Sequence, residues 1–135
     1  MTAIVCIDAQ GGMLFNQRRV SSDREVVADI MNIFGDSVIY MRSSSAKLFE
    51  EHENIRICDN CLEETGTDGV CFLEADVADA VFKKADRIVL YHWNRSYPSD
   101  VKFPLAKLHS MGKLLSSEDF KGYSHERITR EVYAL

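Results

Sequence analysis

Short apolar runs alternate with amphipathic stretches along the first two thirds of the chain. Ile4, Val5, Cys6 and Ile7 form a run that predicts a buried strand over Thr2–Asp8. Gly11-Gly12 breaks it and opens a loop, Met13–Val20. Ser22-Asp23-Arg24-Glu25 has the form of a capping box, with Ser22 as N-cap and Glu25 at the third helical position. Val27, Ile30, Met31 and Phe34 follow at core spacing, and Gly35 is placed to end the helix. Ser37–Met41 predicts a second strand, Ala46–Glu51 a short helix and Asn54–Cys58 a third strand. Leu62–Gly69 is polar and turn-like, and Val70–Leu73 is a fourth strand. Asp76 can cap a helix carrying Val77, Ala80, Val81 and Phe82, and Arg87–Trp93 is a fifth strand with a fully buried character.

Strands alternating with short helices imply a largely parallel sheet with helices on its faces. The last third differs. Lys113–Ser117 and Arg127–Tyr133 read as strands without intervening helices, hence an antiparallel hairpin at one sheet edge. The expected architecture is a mixed α/β sandwich, with ligands bound beyond the carboxyl ends of the strands.

Composition narrows this little. The length of 135 residues suits one domain, and 46% apolar with 27% charged residues is ordinary for a globular protein. No apolar stretch reaches the roughly 18 residues of a membrane span, and the opening run is too short for a signal peptide's core. A cytoplasmic location is expected, with Cys6, Cys58, Cys61 and Cys71 as reduced thiols. The formal charge of −5 argues against nucleic acid as a partner and leaves a small molecule. Arg18-Arg19 is a local exception, either a phosphate contact or a solvated loop.

Several residues can carry chemistry. Asp23 heads the stripe of Val27, Ile30, Met31 and Phe34, and a carboxylate so placed is partly desolvated, which raises its pKa and suits it to proton transfer. It can equally complement the helix dipole. Arg42-Ser43-Ser44 follows a strand and opens a helix, which makes either an anion site or a plain capping run. Cys58-Asp59-Asn60-Cys61 has a C-x-x-C spacing, but no second ligand pair accompanies it and the pair ends a strand, so a structural role is expected. Ser124-His125-Glu126 reads as a turn before the last strand, since adjacent residues do not make a catalytic triad.

Taken in order, these pieces resemble dihydrofolate reductase. AIVCIDAQGGM resembles that family's first strand and mobile active-site loop, with Gly12 at the loop's start. VSSDREVVADI resembles the start of its first helix, with Asp23 on the single active-site carboxylate. SVIYMRSSSAKLF resembles the next strand and phosphate-contacting turn, and ADRIVLYHWNRSYPSDVKFP the late strand and its loop. The resemblance implies a dihydrofolate reductase-like three-layer sandwich over residues 1–135, with a mixed, mostly parallel sheet and a C-terminal antiparallel hairpin. It implies NADPH as cofactor, held by Arg42, Ser43, Ser44, Gly12 and Arg18. Asp23 and Tyr91 would be catalytic, with Tyr91 replacing the family's threonine beside the acid. Ile4, Cys6, Val27 and Phe34 would line the substrate pocket, with His52 nearest the place of the arginine that holds folate's tail.

The departures are specific. Leu73-Glu74-Ala75 occupies the place of a double glycine at which backbone approaches the cofactor pyrophosphate, and Glu74 adds a negative charge there. Met41 replaces a glycine, and the loop tryptophan is absent. Three functions follow: an NADPH-dependent reductase of a pterin or similar flat heterocycle, a non-catalytic module binding a nucleotide or heterocycle, or a metal or redox protein using Cys58 and Cys61.

Overall fold

The side chains of β1 (Thr2–Ile7) alternate between two separate cores. Ala3, Val5 and Ile7 enter one with Cys71, Ile88, Leu90 and Phe103, while Ile4 enters the other with Ile30, Phe72, Val89 and Tyr91. A strand buried on both faces belongs at the middle of a three-layer arrangement, and β1 holds that position. The computed structural model describes residues 1–75 and 79–135. The expected cap at Asp76 and the helix position Val77 lie outside the described residues.

Seven strands make the main sheet. Besides β1, these are β4 (Ile39–Met41), β5 (Ile55–Ile57), β6 (Val70–Phe72), β7 (Arg87–His92), β9 (Lys113–Phe120) and β10 (Ile128–Ala134), in the order β5-β4-β6-β1-β7-β10-β9. The first five in that order run parallel, and β10 and β9 close the sheet as an antiparallel pair. The mixed, mostly parallel sheet with a C-terminal antiparallel hairpin is as the sequence implies. Helix α1 (Arg24–Phe34) covers the second core through Val26 and Ile30.

Local expectations were revised at five places. The cap of α1 is Asp23, not Ser22: Asp23 has extended backbone, and its carboxylate accepts from the Glu25 N–H. The segment read as a loop is a hairpin, β2 (Gly12–Phe15) with β3 (Arg18–Arg19), joined by Asn16 and Gln17. Both turn residues have positive φ, 49° and 65°, which matches the twist of a two-residue hairpin but lacks the usual glycine signal. Helix α2 (Ser43–Ala46) starts three residues early and runs into a 3₁₀ turn, Lys47–Phe49. Helix α3 (Cys61–Glu64) overlaps the start of the stretch read as a turn, Leu62–Gly69, ahead of α4 (Val81–Lys84). In the last third, α5 (Leu105–Met111) packs Leu108 into the first core before β9, where no helix was expected. Strand β8 (Val101–Lys102) pairs with β2, which completes a three-stranded sheet at the top of β1.

Candidate functional site

Beyond the carboxyl ends of β4 and β6 lies a cleft of about 1240 Å³, walled by the β2–β3 hairpin, α2 and the residues after β6. Arg18, Arg19, Arg42, Lys47, Lys83 and Lys84 line it against three carboxylates, Asp59, Glu63 and Glu74. Among the described lining residues there is therefore an excess of three positive charges, in a chain whose formal charge is −5. Its walls are tied together at Glu74. Arg19 Nε donates to Glu74 Oε2 at 2.7 Å and Nη2 to Oε1 at 2.9 Å, while the Ser45 hydroxyl donates to Oε1 at 2.6 Å. A further Arg19 Nη2 bond to the Ser44 carbonyl, 2.9 Å, joins the hairpin to α2.

A second cavity, of about 720 Å³, opens between α1, the 3₁₀ turn and the inner end of β1, with Cys6, Val27, Leu48, Phe72 and Trp93 among its walls. At its rim the start of α1 meets the loop between β9 and β10. Asp23 receives backbone N–H groups from Glu25, Tyr123, Ser124 and His125 at 2.9 to 3.2 Å, the Ser124 hydroxyl at 3.2 Å and His125 Nδ1 at 2.9 Å. Its side chain has no exposed surface. Burial alone would raise its pKa, as the sequence reading expects. The His125 ring and the N–H groups of Tyr123, Glu25 and Ser124 outweigh burial and hold the carboxyl well below the ordinary carboxylate range. The expectation of a raised pKa is therefore overturned.

Other candidates are distributed unevenly. Arg42, Ser44 and Arg18 reach the first cleft, but Ser43 does not line it. Gly12 lies elsewhere, buried with its N–H 2.7 Å from Asp8 Oδ1, and a Cβ there would stand 2.7 Å from Ser99. Cys6, Val27 and His52 line the second cavity. Ile4 is wholly inside the second core, and Phe34 packs against that core from the far end of α1. Tyr91 is also fully buried, and its hydroxyl donates to Asp29, 2.7 Å, rather than to Asp23. Burial and the Asp29 carboxylate push its ionisation far above the ordinary range. Helical spacing explains the difference: Asp23 is the cap, whereas Asp29 sits inside α1 facing β7.

The cysteines also depart from expectation. Cys58 and Cys61 form a disulfide, so the expectation of four reduced thiols fails for these two, and Cys61 opens α3 rather than closing a strand. Cys6 and Cys71 are free. Among the described residues no group of three or more His, Cys, Asp or Glu is arranged to hold a metal ion. No described helix is long and apolar enough to cross a membrane.

Sequence reasoning missed Ser21 and Tyr97 and read His125 only as part of a turn; the three meet beside the second cavity, which Ser21 lines. It also missed the pairing of Arg19 with Glu74. The opposite charges flanking a replaced glycine were the available signal for that pair. For the His125 cluster no linear signal existed, since 104 residues separate it from Ser21.

Neither a protein-family model nor a curated protein sequence matches the chain. Among solved structures, the chain is similar to dihydrofolate reductase from Enterococcus faecalis complexed with NADP(H) and RAB-propyl. The likeness has a TM-score of 0.67 at 10% identity and covers 98% of this chain and 94% of that one. At that identity the likeness concerns the backbone, and the protein has a dihydrofolate reductase-like fold with divergent sequence.

Proposed function

We propose that this protein binds a phosphate-bearing ligand of the nucleotide class in the basic cleft, and that it does so without the hydride chemistry of the enzymes whose fold it shares. The observation that carries this reading is the excess of positive charge among the described residues at the carboxyl ends of β4 and β6, within an acidic chain. Arg42, Ser44 and Lys47 are grouped at its α2 end and suit the anionic part of the ligand. Arg18 extends the basic lining on the hairpin side.

NADPH fits this lining poorly at one point. Glu74 stands where the resemblance places backbone beside the cofactor's pyrophosphate, and its carboxylate is held there by Arg19 and Ser45. A pyrophosphate at that place meets a like charge and has to break three hydrogen bonds. Among the described residues every buried side-chain nitrogen and oxygen already has a partner, so no orphaned polar group awaits a cofactor. The acid of the reductase reading is also unsuitable. Asp23 is enclosed by six protein donors and has no lone pair directed at a ring in the cavity.

Calorimetric titration with ADP, NADPH, inorganic phosphate and adenosine tests the reading. Micromolar binding of ADP, weakened at least tenfold by Arg42→Ala, with adenosine silent, supports it. Tight NADPH binding coupled to oxidation by a dihydropteridine would replace it with the reductase reading. No binding of any phosphate compound at millimolar concentration would overturn both.

A further inference from the structure

Ser21 precedes the α1 cap by two residues, lines the second cavity and is only partly buried. Its Oγ lies 2.9 Å from His125 Nε2, and the opposite ring nitrogen, Nδ1, lies 2.9 Å from Asp23 Oδ2. Hydroxyl, imidazole and carboxylate are thus joined in one line, across loops that are far apart in sequence. Geometry and not chain order defines such a relay.

The supporting groups fix the imidazole. His125 is 3% exposed, and the Trp93 ring stacks on it at 4.8 Å between centroids. An ionised Asp23, itself anchored by backbone N–H groups, can only accept a hydrogen bond from Nδ1–H, and in the neutral imidazole that tautomer turns the Nε2 lone pair towards Ser21. The Tyr97 hydroxyl, 3.1 Å from the same Nε2, shares that lone pair and holds the ring's outer edge.

We propose that Ser21 is a nucleophile, with His125 as its general base and Asp23 as the residue that positions His125, acting on esters of apolar acyl groups. The acyl chain would occupy the second cavity, where Val27, Leu48, Phe72 and Trp93 supply an apolar wall. Ser21 Oγ attacks the ester carbonyl carbon, and its proton passes to His125 Nε2. The ester C–O bond then breaks, and the alcohol leaves with that proton. Water, deprotonated by the same Nε2, cleaves the acyl-serine and releases the acid. Ester and water give acid and alcohol, with no other reactant.

A thiol, that of Cys6, also lines that cavity. Burial and the nearby Glu74 carboxylate push its thiol well above the ordinary range, which leaves too little thiolate to compete. This inference is independent of the anionic ligand proposed for the first cleft.

Incubation of the whole protein with diisopropyl fluorophosphate tests it, because this reagent forms a bond from phosphorus to an activated serine oxygen and expels fluoride. One adduct per chain, mapped to Ser21 and lost in Ser21→Ala but kept in Ser22→Ala, is expected. Hydrolysis of p-nitrophenyl butyrate should fall at least a hundredfold in Ser21→Ala. No adduct on the wild-type protein, under conditions that saturate a serine esterase, would overturn the proposal, as would an adduct that persists in Ser21→Ala. The wild-type result stands even if a variant fails to fold.

Discussion

Arg19 and Glu74 are joined by two hydrogen bonds, 2.7 and 2.9 Å, that link a hairpin to the segment following strand β6, the neighbour of β1. Both side chains are largely shielded, at 30% and 17% exposure, and the geometry is that of a paired guanidinium and carboxylate. Such a pair does two things at once. It neutralises the innermost cation of a basic cleft, and it places a side chain where a glycine would leave backbone accessible.

Glu74→Gly should therefore convert the cleft rather than destroy it. Arg19 is freed to meet an anion, and the like charge facing a pyrophosphate is removed. Affinity for NADPH is expected to rise at least tenfold, about 1.4 kcal/mol, by calorimetry. Thermal stability should fall by about 1 kcal/mol as the partly exposed pair is lost. Unchanged NADPH affinity in a folded variant would show that Glu74 is not what limits the cofactor.

Asp23 should dominate the acid stability of the protein. Its folded-state pKa lies below the unfolded value of about 3.9, so its contribution is full above that pH and is lost as pH falls through the folded value. Urea midpoints should be nearly flat from about pH 6 to pH 4 and then fall steeply from about pH 4 to pH 2 for the wild type, and far less for Asp23→Asn. At neutral pH the variant should be less stable by about 3–5 kcal/mol, because it leaves buried donors and His125 unmatched. Asp8 gives a residual slope in both proteins, since N–H groups from Tyr97, Gly12 and Gln10 outweigh its burial and lower its pKa too.

Gly122 approaches this carboxylate closely. A Cβ on it would lie 2.7 Å from Asp23 Oδ2 and 2.8 Å from both the His125 carbonyl and Ile128 Cδ1. Three contacts at that distance, one with backbone, leave no cheap adjustment. Gly122→Ala is expected to cost about 1–3 kcal/mol of stability by denaturant unfolding. It should also shift the His125 ring resonances in NMR spectra, because the displaced group carries its partner.

What the sequence disclosed follows from how far each signal extends. The runs in β1, β6 and β7 were legible because strands buried on both faces are continuously apolar, and their order alone suggested the parallel sheet. The β2–β3 hairpin was not, since Asn16-Gln17 adopts its turn without glycine. Helix α5 was hidden because it buries mainly Leu108, too little for a stripe. Of the site, Arg42 and Ser44 were found from a strand-to-helix junction, a local pattern. The environment of Asp23 was not found. Its pKa depends on donors about a hundred positions away, and no local periodicity encodes them.

The Cys58–Cys61 disulfide makes a prediction in counting. Under denaturing conditions without reductant, thiol titration should find two groups per chain, Cys6 and Cys71, and four after reduction. The stabilisation lost on reduction should be modest, about 2 kcal/mol from chain entropy, because so short a loop restricts the unfolded chain little. Both sulfurs are buried beneath the cleft floor, where Cys61 and Leu62 form part of the lining. A ligand that fills the cleft should therefore slow reduction of the bond by dithiothreitol. Faster reduction in its presence would place the ligand elsewhere.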